Sequence, residues 1–397
     1  MKSSRRILIL DGHTNQALAS VRSLGAAGYE VLVASHQRLA LGRWSRYCRA
    51  GFHLTGQTIE AFGAMRDWAR QRSVDIVLPM SERSCVLLNA ERALWEETGI
   101  TLGCAPDELL TRAFDKAETL RRADACGVRI PPTRYPASLE ECFEAALETG
   151  LPCIVKPRRS NAWDGRRFLP TRAPAYVSRR EDLRRAFEAC RQGDEWPLVQ
   201  AYVEGRGKGI FALCDRGRAA AWFAHERLRD TRPTGSGSSL RRSVSLDERL
   251  VRPAERLLAA LEWHGPAMVE FRDDALHPPC LMEVNGRFWG SLQLGIDAGI
   301  DFPRLWVGIL EGESIEASAR YEEGLTLRWL WGDVKRLLWI LRGAPRGYPG
   351  AYPSVGQGLR ELLGRQPEGT RLEVWRRGDP LPAIGEWVQG TRDLVQR

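Results

Sequence analysis

Met268-Val269-Glu270-Phe271 and Leu281-Met282-Glu283-Val284-Asn285-Gly286-Arg287 are two short apolar stretches that carry acids. The polar, proline-containing segment from Arg272 to Pro279 joins them as a turn would, so they read as an antiparallel hairpin whose side chains alternate between faces. Glu270 then falls opposite Glu283, and Asn285, two residues on, shares the Glu283 face. Two carboxylates and an amide oxygen on one side of a small sheet suit Mg²⁺, a hard ion that combines one or two carboxylates with phosphate oxygens and water. The same alternation also describes a half-exposed strand. Met268, Phe271, Met282 and Val284 favour a central hairpin, where an unpaired carboxylate would be costly. Arg287 keeps the parity of Asn285, where it could meet a phosphate beside the metal.

Upstream, strand and helix alternate. Ile7-Leu8-Ile9-Leu10 ends at Asp11-Gly12-His13, an amphipathic helix follows from about Asn15 to Ala27, and Val31-Leu32-Val33-Ala34 is the next strand. A helix near Ile59 to Arg72, the strand Asp75 to Pro79 and a helix near Arg83 to Thr98 continue the pattern, which predicts a doubly wound parallel sheet over residues 1–112. Asp11 to Gln16 lacks the glycines of a dinucleotide-binding turn, yet a loop at a helix N-terminus can still hold a carboxylate or phosphate. Asp107 to Gly127 reads helical and the Pro-Gly cluster Gly127 to Thr133 breaks it. A helix near Leu139 to Thr149, the strand Pro152 to Pro157, a helix near Arg180 to Gln192 and the strand Leu198 to Val203 predict an α+β unit over 113–203. Residues 204–318 hold the hairpin, and 319–397 form a Trp-rich tail expected to be helical.

The chain has 397 residues, 43% of them hydrophobic, enough for a large core. No apolar run approaches the roughly 20 residues of a membrane span. Nine scattered cysteines without a CxxC pair suit a reduced, cytoplasmic protein with no structural zinc. The net charge of +8 comes from arginines mixed with acids, as in Arg179 to Arg185, which speaks for solvated faces rather than a nucleic-acid surface. A basic cleft for an anionic nucleotide is compatible with it. Leu327 to Arg342 reads as an amphipathic helix, either an interfacial one making peripheral membrane contact or one docked on the protein through its tryptophans. A homo-oligomer is compatible with the second form.

Lys156 ends a buried-looking strand and precedes Pro157; it is either a charge reaching solvent or a cation over phosphates. The polar loop Arg158 to Arg166 suits a flap as well as a surface loop. Thr234-Gly235-Ser236-Gly237-Ser238-Ser239 is either a flexible linker or an anion-binding nest. Arg227 and Arg229 nearby could clamp a carboxylate bidentately.

Taken in order, Phe114-Asp115-Lys116, Ile154-Val155-Lys156-Pro157, Val199-Gln200-Ala201-Tyr202-Val203-Glu204-Gly205, Val269-Glu270-Phe271 and Met282-Glu283-Val284-Asn285-Gly286-Arg287 resemble the ATP-grasp superfamily. The likeness is to its carboxylate-amine ligase branch, related to the ATP domains of the carbamoyl-phosphate synthase large subunit, and spans roughly residues 5 to 315. It implies a pre-ATP-grasp domain (1–112), two ATP-grasp subdomains (113–203 and 204–318) and a C-terminal extension (319–397). Lys116 and Lys156 then match the nucleotide lysines, Gln200, Ala201, Tyr202 and Val203 the adenine-reading linker, and Glu204 the ribose acid. Glu270, Glu283 and Asn285 match the ligands of Mg²⁺, or of Mn²⁺ in its place, and Arg287 the residue that meets the γ-phosphate or acyl-phosphate. Arg227 and Arg229 are the expected acid clamps. Two features depart from the pattern: the flap has one glycine, and Asn-Gly-Arg replaces a common Asn-Pro-Arg.

The resemblance implies that ATP converts a small carboxylate to an acyl-phosphate, which an amine attacks to give an amide, ADP and phosphate. Phosphoryl transfer relies on positioning and charge neutralisation, so no protein nucleophile is called for. Carboxylase-like or kinase-like chemistry, or a non-catalytic nucleotide-binding protein, are the alternatives. The acid and the amine are not legible in the residues.

Overall fold

The computed structural model describes residues 5–274, 276–315 and 320–395, so the expected division between residues 318 and 319 lies outside the described residues. Five parallel strands open the chain: β1 (Arg6–Ile9), β2 (Glu30–Ser35), β3 (Cys48–His53), β4 (Ile76–Leu78) and β5 (Thr101–Leu102), in the order β3-β2-β1-β4-β5. Helices α1 (Asn15–Ala26), α2 (Ile59–Gln71), α3 (Glu82–Ala90) and α4 (Arg92–Glu96) connect them. Thr14, Thr58 and Ser81 cap the first three by accepting a hydrogen bond from a backbone N–H of the first turn. The single helix expected from Arg83 to Thr98 is two, parted at Glu91. Cys48–His53 is a further strand outside the expected set: Cys48, Ala50 and Phe52 alternate with Arg49, Gly51 and His53, but Ala and Gly are weak strand formers and the run holds no β-branched residue.

Helices α5 (Asp107–Phe114) and α6 (Lys116–Ala125) follow, broken at Asp115. The Asp115 carboxylate caps α6 from Ala117 and Glu118 and pairs with Arg159, 2.8 Å away. Next come β6 (Thr133–Arg134), α7 (Leu139–Thr149), β7 (Cys153–Lys156), β8 (Ala175–Val177), α8 (Leu183–Cys190) and β9 (Leu198–Ala201), the strands forming an antiparallel sheet in the order β6-β9-β7-β8.

The largest sheet is built from β10 (Arg206–Asp215), β11 (Arg218–Arg229), β12 (Leu240–Ser243), then, after α9 (Glu248–Ala260), β13 (Gly265–Asp273) and β14 (Cys280–Asn285). Helices α10 (Leu292–Asp297) and α11 (Phe302–Leu310) lead to β15 (Thr326–Arg328), α12 (Leu330–Arg342), α13 (Val355–Leu363), β16 (Arg371–Leu372) and α14 (Leu381–Val395). The order is β14-β13-β10-β11-β12-β15-β16. The tail is therefore not purely helical: the ladder of β12 continues through Leu327 into β15, and β16 adds to that edge in parallel. A shared core joins β1, β2 and α1 to Phe211, Phe223, Trp289 and Trp306 of the large sheet and its helices.

The amphipathic α12 is docked. Trp331 is buried and meets Trp387 of α14 with ring centroids 4.9 Å apart. Asp333 at its start accepts hydrogen bonds from Arg229 and Arg328. Among the described residues no helix is long and apolar enough to cross a membrane.

Candidate active site

The expected hairpin is present, but at the edge of the large sheet rather than in its centre, since β14 is an outermost strand. Glu270 pairs with Glu283 and Met268 with Asn285, with a bulge just after Glu270. The Asn285 amide lies between the acids, its Nδ2 donating to Glu270 Oε1 and Glu283 Oε1 at 3.2 Å each. Arg227 Nη2 donates to Glu270 Oε2 at 2.8 Å, and Arg287 Nη2 to Asn285 Oδ1 at 2.9 Å. Burial, with Glu283 adding to it, raises the Glu270 carboxyl against the pull of Arg227. Burial also pushes Glu283 up, but Lys116, Lys156, the Asn285 amide and Arg287 outweigh it, and that carboxyl ends below its ordinary value.

No group of three or more His, Cys, Asp or Glu that could hold a metal occurs among the described residues. A cation here would take two carboxylates and one amide from the protein and its remaining ligands from phosphate and water, a set that fits Mg²⁺. As placed, the amide presents nitrogen to the acids; turning it over would present Oδ1. Amide orientation follows from the hydrogen-bond network.

Lys116 and Lys156 stand behind Glu283. Lys156 Nζ donates to Gln200 Oε1 at 2.6 Å, and Gln200 Nε2 donates to Thr133 Oγ1 at 2.8 Å. Burial, with help from Lys116, lowers the Lys156 ammonium to about 8 although Glu283 pulls it up. Lys116 Nζ donates to Ser160 Oγ of the flap segment at 2.9 Å. Asn161 in the same segment ties it to Glu82 and Arg83 of α3. Lys116, Ser160, Met282, Glu283 and Asn285 line one small recess. The linker runs off the end of β9: Ala201 is its last residue, Tyr202 packs against Tyr176 and Tyr348, Val203 is half-buried, and Glu204 is exposed.

A larger cavity of about 620 Å³ also borders the hairpin. Arg227, Glu270, Glu283, Asn285 and Arg287 line it, with Ser236, Gly237 and Ser238 of the Gly-Ser segment. Gly235 and Gly237 have φ of +101° and +68°, left-handed values that glycine adopts without strain. Arg229 is a correction. The residue between it and Arg227 is bulged, so Arg227 pairs with Arg241 but Arg229 with Leu240, on the opposite face. Its guanidinium is committed to both Asp333 oxygens at 2.8 Å, which ties down α12 instead of clamping an acid.

Several lining residues escaped the sequence reading. His225 is buried between Arg227 and Arg241 and held neutral by burial and those cations; its Nε2 lies 2.8 Å from Ser291 Oγ. The alternation of β11 could have placed it beside Arg227. Arg241 is buried against Glu373, and His13 to Gln16 and the tail residues Trp329, Trp331 and Glu386 arrive from segments that no local pattern links to the hairpin.

Residues 195–332 match the family model described as "ATP-grasp in the biosynthetic pathway with Ter operon". The chain is 26% identical over 144 residues to the formate-dependent phosphoribosylglycinamide formyltransferase of Mannheimia haemolytica, covering 36% of this chain and 33% of that one. It is 26% identical over 276 residues to the carbamoyl phosphate synthase large chain of Pyrobaculum aerophilum, covering 66% and 25%. The chain thus spans a third or less of the length of these two relatives. Its fold is similar to that of Campylobacter jejuni biotin carboxylase, solved with a β,γ-ATP compound, with a TM-score of 0.64 and 19% identity over 81% of this chain and 74% of that one. The hairpin, the two lysines and the linker strand stand in this order in a chain whose residues 195–332 match an ATP-grasp family model, so that part of the chain is similar to the ATP-grasp superfamily.

Proposed function

We propose that the chain is an ATP-dependent ligase that activates a small carboxylate and joins it to an amine. The observation that carries this reading is that Glu283 and Asn285 line both the lysine-bearing recess and the 620 Å³ cavity. Glu283 and Asn285 thus mark the junction of the two spaces, where a γ-phosphate and an acid would meet. Lys116 from the recess and Lys156 beside Gln200 hold the nucleotide phosphates, and Gln200 to Glu204 hold the base and ribose. Arg287 and Arg227 orient the acid carboxylate from the cavity. A bound Mg²⁺, held by Glu270, Glu283 and Asn285, supplies neutralisation of the charge that builds on the phosphates. The acid's oxygen attacks γ-phosphorus and ADP departs. The amine then attacks the acyl carbon, the C–O bond breaks with its electrons leaving on phosphate, and the nitrogen gives up a proton to the departing phosphate or to water.

The relatives' names support small-carboxylate chemistry, since one is formate-dependent and another makes carbamoyl phosphate. A carboxylase-like reaction on bicarbonate would leave most of a 620 Å³ cavity unused. The test is ADP release from Mg-ATP across a panel of acids and amines, with hydroxylamine added to trap acyl-phosphate as hydroxamate. Release that needs both an acid and an amine is the expected result. Release driven by bicarbonate alone, or none with any acid, would sink the ligase reading.

A further inference from the structure

One face of α14 is turned into the cavity. Glu386, Gln389, Gly390 and Asp393 line it, at the i, i+3, i+4, i+7 spacing that aligns side chains along a helix. Trp329, Trp331 and Lys335 complete that wall. The wall is held in place: Gln389 accepts from the Leu41 amide at 2.9 Å and donates to the His13 carbonyl at 2.9 Å, so α14 is pinned to the loops after β1 and β2. Trp329 Nε1 donates to Glu386 Oε1 at 2.5 Å. Gly390 allows Trp331 to lie on the helix, since a Cβ there would fall 2.2 Å from the indole.

The two sides of the cavity differ in charge. On the sheet side Arg227, Arg241 and Arg287 stand with Glu270 and Glu283, three cations to two acids that a metal would take, and there an acid awaiting phosphorylation would sit. The tail side offers two acids, two indoles and one ammonium, Lys335 Nζ, 4.9 Å from the Trp329 ring centroid. A simple carboxylate would use none of the acids there. A molecule bearing an amino group, a carboxylate and an apolar body would use all three features.

We propose that the tail wall binds the amine substrate and that this substrate is an amino acid or a zwitterion of that kind. Its amino group meets Glu386 and Asp393, its carboxylate meets Lys335, and its side chain lies on Trp329 and Trp331. The assignment rests on the ligase reading above. Burial, reinforced by Glu373, holds the Glu386 carboxyl at about 7 against the pull of Trp329, Lys335 and Arg22, and an ammonium beside it would favour the ionised form.

The experiment is calorimetric titration of the full chain with the twenty L-amino acids, and with the decarboxylated amine of each one that binds. Asp393 is half-buried at a helix end, so Asp393→Asn spares the fold; Lys335→Met is the second variant. At least one amino acid should bind, its decarboxylated amine at least tenfold more weakly, and both variants should weaken the amino acid at least tenfold. In Lys335→Met the tenfold preference over the decarboxylated amine should disappear. Absence of binding by all twenty, or affinities that both variants leave unchanged, overturns the proposal. Hydroxamate formation by the wild-type chain decides the ligase reading separately: hydroxamate without amino-acid binding removes only the tail assignment, whereas amino-acid binding without hydroxamate removes the ligase reading.

Discussion

Glu270 on β13 stands opposite Glu283 on β14, and the Asn285 amide donates a hydrogen bond to each at 3.2 Å. Two enclosed carboxylates in register repel one another, a cost that the cations around Glu283 offset. Replacing Glu283 by Gln should lower the melting temperature of the free protein, because Lys116, Lys156 and Arg287, which against burial hold this carboxyl below its ordinary value, lose its charge. It should lower turnover by at least about 100-fold, the scale of losing one group that stabilises charge in the transition state. Mg²⁺ with a non-hydrolysable ATP analogue should raise the melting temperature of wild type and not of the variant, and chelation of the metal should abolish the wild-type rise. Turnover near wild type in Glu283→Gln would remove the hairpin from the mechanism.

Lys156 titrates at about 8, below its ordinary 10.5, because it is buried. The charged form that would hold phosphate prevails below that value. Between about 8 and 10.5 the unfolded chain binds the proton and the folded one does not, so this residue makes stability rise with pH across that window. Phosphate binding runs the other way: kcat/KM for ATP, which reports the free enzyme, should fall as pH rises through about 8. Lys156→Arg should move that limb upward, and an unmoved limb would assign it elsewhere.

Glu386 has the opposite sign. Its carboxyl, raised by burial from 4.5 to about 7, is protonated in the fold while the unfolded chain is ionised. The stability it contributes is complete below 4.5 and is lost as pH rises through 7, at most about 3 kcal/mol. Melting curves between pH 4.5 and 7.5 should show a decline in wild type that Glu386→Gln flattens. Parallel pH profiles would contradict the assignment.

Arg22 of α1 donates from Nε to Asp379 Oδ2 at 2.9 Å, and Asp379 also accepts from Ser45 Oγ at 2.8 Å and the Arg46 amide at 2.9 Å. Both side chains are buried. Asp379→Ala leaves a guanidinium buried without its partner, which should cost about 3–5 kcal/mol. Denaturant unfolding checks this, and Arg22→Met in the same chain should recover most of the loss.

Gly286 stands where a proline is common because Trp263 fills the space: a Cβ there would lie 2.2 Å from the indole. Trp263 is itself fully buried. Gly286→Pro should destabilise the protein by roughly 1–3 kcal/mol through overpacking. The loss should shrink when Trp263 is replaced by Leu, and additive effects of the two changes would mean that they do not share the space.

Much of the site was legible because it is local. Glu270, Glu283, Asn285 and Arg287 sit within 18 residues, and a period of two fixes which of them share a face once a hairpin is assumed. The helices were legible to within a residue where a Ser or Thr cap and an apolar stripe coincide, as at Asn15 and Leu139. Arg229 was misplaced by the same period, because one bulged residue reverses parity and a bulge leaves no mark in composition. The cavity's far wall was beyond reach for a different reason. Trp331, Glu386 and Asp393 come within range of Glu283 only because buried pairs such as Arg22–Asp379 and Arg229–Asp333 fold the tail back over the sheet. By itself the sequence determined which residues of the hairpin stand opposite one another, since backbone periodicity acts over a few residues. Only the tertiary structure decided what faces that hairpin, since contacts across a hundred residues or more depend on packing and charge pairing that no local pattern encodes.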